Sequence, residues 1–530
     1  TGEAAQIVLT ENGAFLPPLT SSRTVGAADA GLLIFEVDGD GRNDLLLLKG
    51  GVSLAADDAG YQPRLFFNRG GRRFQQAPEG SMPSFTSSAG PAVAADFNGD
   101  GWLDVFLGGR VVPGAYGQTP RSALWINRGG TFTEETARFA PALATVGMVS
   151  GALATDVDHD GRMDLLIATQ WGEVQCWRNV NGSSFENVSE RLGFAQAGAG
   201  WWNSLAAADF NGDGRIDYVV GNVGLNTPYR ATRENPVLLF RGDFDTNGRT
   251  DLIEATSEGD VLAPRRGRST IVAAMQSVGR RFPTFAAFAA TDLTEIIGAE
   301  ALRSADRLEA TELRSGVFLS QPGGTFRFDP LPRLAQIAPI FGLVAGDFDG
   351  DGHADICAAQ NSYAPIPEMG RFDGGLGQFL RGDGKGGLSP VPLRESQLMI
   401  SGDGKGLAVA DLNDDGWPDL IATRNNANVR VFRNHGRAGG NALSVTLRGS
   451  TQNPGAIGAR VELFVKDGST QVAEVTAGSG YLSQSSAMCF FGYRSDNVPR
   501  EVNVTWPSGA TTTHPVPEGS RKILLKAPDM

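Results

Sequence analysis

Seven times along the chain, an apolar run enters the pattern acid–x–Asp/Asn–x–Asp/Asn–Gly–x–x–Asp and leaves it as another apolar run. The copies begin at Glu36, Asp96, Asp156, Asp209, Asp243, Asp347 and Asp411. No other feature restricts the fold so strongly. Each copy gathers carboxylates on one short loop, which is what a hard cation needs. Each loop also joins two runs of strand length, as in one blade of a propeller.

The third copy, Asp156-Val157-Asp158-His159-Asp160-Gly161-Arg162-Met163-Asp164, shows the logic. Positions 1, 3 and 5 alternate, so Asp156, Asp158 and Asp160 can turn to one side of a tight loop. Gly161 at position 6 suits a sharp turn at positive φ. Position 7 offers a backbone carbonyl, and Asp164 at position 9 returns a last carboxylate. Six or seven oxygens at roughly 2.3–2.6 Å make a calcium site. The remaining ligand sets are Glu36, Asp38, Asp40 and Asp44; Asp96, Asn98, Asp100 and Asp104; and Asp209, Asn211, Asp213 and Asp217. Then follow Asp243, Asp245, Asn247 and Asp251; Asp347, Asp349, Asp351 and Asp355; and Asp411, Asn413, Asp415 and Asp419. Asn keeps an oxygen while removing a charge, and Glu36 is the one departure from Asp at position 1.

An EF-hand needs a bidentate Glu at position 12 between two helices. Position 12 here is Leu47, Leu107, Ile167, Val220, Ala358 or Ala422, and an acid (Glu254) only in the fifth copy. The flanks, such as 32–35 and 217–220, are short apolar runs rather than amphipathic helices. Solvated Asp-Gly turns do not account for seven copies at one spacing, because unpaired carboxylates this close repel. The expectation is up to seven structural Ca²⁺ ions, each stapling a strand–loop–strand turn without doing chemistry.

The metal loops also explain the charge. The net charge is −13, and 24 of the 59 acidic residues occupy ligand positions. Seven divalent ions would bring the chain close to neutral. No basic stripe or stacking motif marks a nucleic-acid partner. The three cysteines, Cys176, Cys357 and Cys489, form no disulfide framework. No apolar run reaches the ~18–20 residues of a membrane helix. Open calcium loops fill at extracellular rather than cytosolic calcium, and the chain begins at Thr1 rather than Met. Both features predict an extracytoplasmic protein, secreted, periplasmic or cell-surface, freed of a signal segment.

A second signal follows most loops: an apolar pair, Asn or Gly, a Gly turn, then Phe. Examples are Phe66-Phe67-Asn68 with Phe74, Trp125-Ile126-Asn127 with Phe132, and Cys176-Trp177-Arg178-Asn179 with Phe185. These read as outer-strand hairpins whose aromatics pack between blades. The metal loops lie 60, 60, 53, 34, 104 and 64 residues apart. The short and long steps mark an irregular fourth and fifth blade. Residues 262–314 read as a small helical insertion, with a capping box at Asp292-Leu293-Thr294-Glu295 and a helix end at Gly298. The fold expected is an all-β, seven-bladed propeller over residues 1–437. A separate antiparallel β-sandwich follows over 438–530, where apolar residues recur with period two.

The repeats resemble integrin-type FG-GAP, or VCBS, repeats. The tail resembles the ASPIC and UnbV domain through Gly455-Ala456-Ile457-Gly458-Ala459-Arg460-Val461, Gly478-Ser479-Gly480-Tyr481-Leu482-Ser483-Gln484-Ser485, Phe491-Gly492 and Trp506-Pro507-Ser508-Gly509. Together they are similar to a cartilage acidic protein-like bacterial family. The resemblance implies a seven-bladed propeller, calcium binding and an extracytoplasmic place, and no catalytic activity.

Three roles follow. The first is a binding, adhesion or scaffold protein whose propeller face engages a glycan or protein partner. The second is a polysaccharide-active enzyme of lyase or dehydratase type, with Trp201 and Trp202, or Tyr363 with Glu368, Arg371 and Asp373, lining a sugar site. The third is a structural subunit of a larger surface assembly docked through its tail. The sequence argues against the second. It has four histidines, two of them inside metal loops at non-ligand side-chain positions, and no nucleophile elbow or phosphate loop. No catalytic residue and no organic cofactor site is identified.

Overall fold

A computed structural model of the protein describes residues 27–259, 261–364 and 369–528, together with the pairs 6–7, 10–11, 14–15 and 19–20 nearer the N-terminus. The chain is all-β in its main body, with one cluster of short helices.

Six sheets repeat one plan. In the first, the strands Ala28–Phe35, Asp44–Gly50, Arg64–Asn68 and Phe74–Gln76 pair in sequence order, all antiparallel. The metal-type loop joins the innermost strand to the second. The second sheet starts at Ser88, the third at Met148, the fourth at Ser204, the fifth at Ile340 and the sixth at Gly404. Each innermost strand packs against the next. The strands Ser88–Ala95 and Met148–Thr155 are therefore buried on both faces, and their sequences are apolar or small throughout instead of alternating. The result is a propeller-like ring with the loops at one end.

Outer-strand aromatics lock neighbouring sheets, as their spacing predicts. Phe132 of the second sheet meets Phe35 at the first loop, with ring centroids 6.5 Å apart. Phe185 of the third meets Phe97 in the second loop at 5.6 Å and 75°. The second pair is edge-to-face, a contact that adds about 0.5–1.5 kcal/mol beyond area burial.

Two expectations change. Seven loops predict seven blades, yet among the described residues six sheets follow the repeat plan. The fifth loop turns instead between Val237–Gly242 and Asp251–Glu258, the middle strands of a separate four-stranded sheet. That sheet interrupts the fourth blade, which is completed only when Gly316–Ser320 returns to pair with Asp217–Gly221. The 34-residue step is too short for a whole blade of about 40–50 residues. The insertion is thus wider than residues 262–314 and contains strands as well as helices. Its helices include Leu293–Ile297, capped where the Asp292 carboxylate accepts from Thr294 N, and ended at Gly298 with φ of 95°. Because it leaves from the far end of a second strand, it sits opposite the metal loops.

The tail forms two sheets. Gly440–Arg448 lies antiparallel to Met488–Arg494 and parallel to Lys522–Lys526, a further departure from the wholly antiparallel tail expected, because the last strand crosses over from the other sheet; there Arg460–Val465 lies between Thr470–Glu474 and Pro499–Thr505, beyond which Thr511–Pro515 pairs. Its apolar core runs without a break into that of the first two propeller sheets, joining Leu443, Val461 and Trp506 to Leu33, Leu46 and Trp125.

Between its two sheets the tail sends residues 475–487 into the middle of the ring. Ala477 O accepts from Ala94 N of the second sheet (2.9 Å), and Gly480 N donates to Leu205 O of the fourth (2.9 Å). Tyr481 packs edge-on against Phe341 of the fifth, with centroids 5.0 Å apart. Ser483 Oγ donates to Leu407 O of the sixth at 2.8 Å. The Gln484 amide bonds both backbone groups of Ile34 in the first sheet at 2.8 Å. Gly478 has φ of +87°, and a Cβ there would stand 2.3 Å from Ala92 O, so no other residue fits. The Gly-x-Gly-Tyr-x-Ser-Gln-Ser motif is a central peg.

Candidate metal centres and the covered face

Each loop is built from backbone bonds first. Position 1 cradles the turn: Asp96 accepts from the amides of Gly99, Asp100 and Gly101 at 2.7–3.2 Å. Position 9 ties the loop to its blade. Asp164 accepts from Val157 N at 3.0 Å and from Asn179 N, on the third strand, at 2.6 Å. The same double bond recurs at Asp44, Asp104, Asp217, Asp355 and Asp419. These carboxylates are fully buried. Each oxygen keeps a second lone pair for a cation.

Four loops bring three carboxylates together, with ligand atoms within 4.8 Å of one another: Glu36, Asp38 and Asp40; Asp156, Asp158 and Asp164; Asp243, Asp245 and Asp251; and Asp347, Asp349 and Asp351. The loops at Asp96, Asp209 and Asp411 carry Asn at position 3 and lack such a triplet. There the Asn amide leans on position 5, as Asn98 Nδ2 does to Asp100 at 2.8 Å and Asn413 Nδ2 to Asp415 at 2.8 Å.

The donor chemistry fits a hard divalent ion. Glu36 Oε2, Asp38 Oδ1, Asp245 Oδ1 and Asp349 Oδ1 are buried oxygens that receive no hydrogen bond. A buried acceptor left without a donor is costly, and a cation at the centre of the loop answers it. Protein cations hold the outer oxygens: Arg69 on Asp38 at 2.5 Å, Arg381 on Asp349 at 2.5 Å, and Arg178 on Asp158. Burial pushes Asp104 and Asp164 up to about 8, and Asp44 and Asp217 up to about 7. Their metal-free loops hold protons that an ion would expel.

Sequence reasoning missed the asparagines that end the third strands. Asn127 Nδ2 donates to Val37 O in the first loop (3.0 Å), Asn179 Nδ2 to Phe97 O in the second (2.8 Å), and Asn434 Nδ2 to Phe348 O in the sixth copy (2.8 Å). Each sews a blade to the metal loop of the blade before it. The recurrence of Asn after an apolar pair is the available signal, but taken locally it marks no more than a turn.

The tail covers this face. Glu474 accepts from Thr155 Oγ1 at 2.6 Å beside the third loop, and Arg460 Nη2 donates to Gly214 O in the fourth at 2.5 Å. Lys522 reaches Asp411 at 3.1 Å. Asp347 and Asp349 are 4% and 5% exposed. A cavity of about 190 Å³ remains between the ring and the tail, lined by Ala207, Leu343, Val472 and Phe491 among others.

Of the alternative sugar-site residues, the structure buries both tryptophans and brings Tyr363 and Arg371 together. Trp202 is wholly buried beneath Phe328, and Trp201 packs edge-on to Trp171 and Tyr229 at 9% exposure. Tyr363 lies under the Arg371 guanidinium, 4.6 Å from its ring centre. Glu368 falls outside the described residues. No helix among the described residues is long and apolar enough to cross a membrane.

Comparison with known proteins agrees with these features. The FG-GAP-like repeat family matches residues 36–107 and 156–220, and the family described as ASPIC and UnbV matches residues 449–530. Cartilage acidic protein 1 of Homo sapiens is 24% identical over 432 residues, covering 72% of this chain and 63% of that protein. The Mus musculus protein is 24% identical over 425 residues, covering 72% and 64%. The chain spans under two thirds of the length of these relatives. Among solved structures, a rhamnogalacturonan lyase of Bacillus licheniformis aligns over 81% of this chain and 80% of its own, at 13% identity and a TM-score of 0.28. An exo-inulinase of Aspergillus awamori aligns over 93% and 91%, at 9% identity and a TM-score of 0.28. A ring of acidic loops, each with its last carboxylate buried and a tail pegged through the centre, thus belongs to a chain that carries FG-GAP-like repeats and an ASPIC and UnbV domain and is homologous to cartilage acidic protein 1.

Proposed function

We propose that the protein is an exported, calcium-stabilised scaffold that binds a protein or glycan partner through the end of the propeller opposite its metal loops. The observation that carries this reading is the covered metal face. Carboxylates buried beneath the tail, such as Asp347 and Asp349, are out of a polymer's reach, so ions held there serve the fold and not a reaction, while the exposed fifth loop, on the insertion, lies apart from them. The tail is spent on its own ring, which also speaks against tail-led docking into an assembly. The opposite end is open and carries the insertion, where Phe285 is 66% exposed and Leu252 43%. Extracytoplasmic calcium, near 10⁻⁴–10⁻³ M for loops of this kind, suits such a protein.

The test is a glycan array and a panel of matrix polysaccharides and proteins, probed with the parent and with Phe285→Ser. Binding by the parent that falls at least tenfold in the variant is expected. Release of an unsaturated sugar, seen by its ultraviolet absorbance, would instead assign the chain an enzymatic role and overturn the reading.

A further inference from the structure

Folding gathers a positive patch that the sequence disperses. Residues 261–291 hold five arginines, Arg265, Arg266, Arg268, Arg280 and Arg281, and no acid, in a chain whose net charge is −13. Along the chain they form two separate groups and no stripe. In the insertion, the helices Arg268–Ala274, Gln276–Arg281 and Phe285–Ala289 bring Arg268, Arg280 and Arg281 to one spot. Arg268 Nε donates to Phe282 O at 2.7 Å and Nη2 to Gly279 O at 3.4 Å, on either side of Arg280 and Arg281. Arg281 Nη1 donates to Ile296 O at 3.1 Å and Nη2 to Glu295 O at 2.5 Å.

All four acceptors are backbone carbonyls. They orient a guanidinium without cancelling its charge, and each guanidinium keeps N–H groups to spare. Among the described residues no carboxylate pairs with Arg268, Arg280 or Arg281. The arginines beside the metal loops differ, since Asp38 neutralises Arg69 and Asp349 neutralises Arg381.

The same spot carries the most exposed large apolar side chain among the described residues. Phe285 is 66% exposed, with the Arg268 guanidinium 5.5 Å from its ring centre. Phe282 lies under Arg281 at 5.4 Å and meets Phe288 edge-on. Those two rings serve the core of the insertion, and Phe285 does not. Pro283, Ala286 and Ala287 around it are exposed and small, so they leave the ring within reach of a partner.

We propose that this patch binds an acidic polysaccharide. The inference rests on the reading above and narrows its partner. Guanidinium forks match the carboxylate of a uronic acid or the oxygens of a sulfate ester. Arg268 and Arg281 are already held in place, which lowers the ordering cost of binding. The exposed ring offers an apolar surface to the C–H face of a sugar. A bilayer asks for more. These helices have seven residues or fewer and expose one large apolar side chain, whereas an interfacial helix buries a whole apolar face. A chain of net negative charge has no general attraction for a polyanion, so the attraction is local.

Titration of the full chain with labelled dextran sulfate, hyaluronate and neutral dextran, in millimolar calcium, tests the proposal. The parent is expected to bind at least one acidic polymer and not the neutral one, with affinity falling about tenfold between low salt and a few tenths molar NaCl. Arg280 is exposed and bonds none of the described residues, so Arg280→Glu keeps the helices and is expected to weaken binding about tenfold. Arg500→Glu makes the same charge change at an exposed site on the tail and is expected to leave binding unchanged. Equal losses in the two variants would reduce the effect to net charge and overturn the proposal. Binding of neutral dextran, or of anionic phospholipid vesicles in preference to either acidic polymer, would do the same. A parent that takes up a protein or an uncharged glycan through Phe285, yet neither acidic polymer, would sink this inference and leave the broader reading standing.

Discussion

Position 9 of the loops concentrates the chemistry of the molecule on single carboxylates. Asp104 and Asp164 are buried, bonded by two backbone amides each, and pushed by burial up to about 8. The ordinary value is 3.8. The metal-free native state therefore holds protons that the unfolded chain has already lost between about pH 4 and 8. Stability from these groups is present at the acid end and falls as pH rises through that window. In a chelator, the melting midpoint is expected to drop by several degrees from pH 5.5 to pH 8. With millimolar calcium the trend should reverse, because protons compete with the ion for the same oxygens. Scanning calorimetry at both pH values reads both slopes, and a chelated protein more stable at pH 8 than at pH 5.5 contradicts this account.

At the scale of elements, the sequence is legible wherever local chemistry decides the outcome. Alternating acids and a fixed Gly announce every loop, and the Phe after each Gly turn announces the aromatic locks between blades. The helix cap at Asp292 is readable for the same reason. The true extent of the insertion is not, because Val237–Gly242 and Asp251–Glu258 look like any other pair of strands flanking a loop. Only pairing across about 100 residues, Tyr218 with Phe318, shows that they lie outside the blade. The peg is equally hidden. Its residues read as a family signature, but their partners lie 76 to 450 positions away. Gly478 carries the sharpest consequence. A methyl there meets the Ala92 carbonyl and the Leu33 side chain at positive φ, so Gly478→Ala is expected to cost about 2–5 kcal/mol. Gly509 also sits at positive φ, but a methyl there would meet nothing within 4 Å, so Gly509→Ala should cost only about 1–2 kcal/mol. Urea unfolding of the two variants checks the difference, and equal losses would mean that the peg is not tightly held.

Across the whole molecule, the ring and the tail share one core and one set of loops, so they should melt together when calcium is present. Glu474, Arg460 and Lys522 hold the tail to the third, fourth and seventh loops. Removing calcium should therefore loosen the tail as well as the blades. Limited proteolysis in chelator is expected to cut near residues 433–440 at least tenfold faster than in calcium; unchanged cleavage would show that the loops support the tail without an ion. The peg adds a constraint on assembly order. It lies later in the chain than every inner strand it touches, so those strands wait for it. A ribosome makes the keystone after every strand of the ring, and until residue 487 has emerged the earlier sheets have no centre to close upon. Such a chain remains threadable for most of its synthesis, and its final locking belongs to whichever compartment receives it whole.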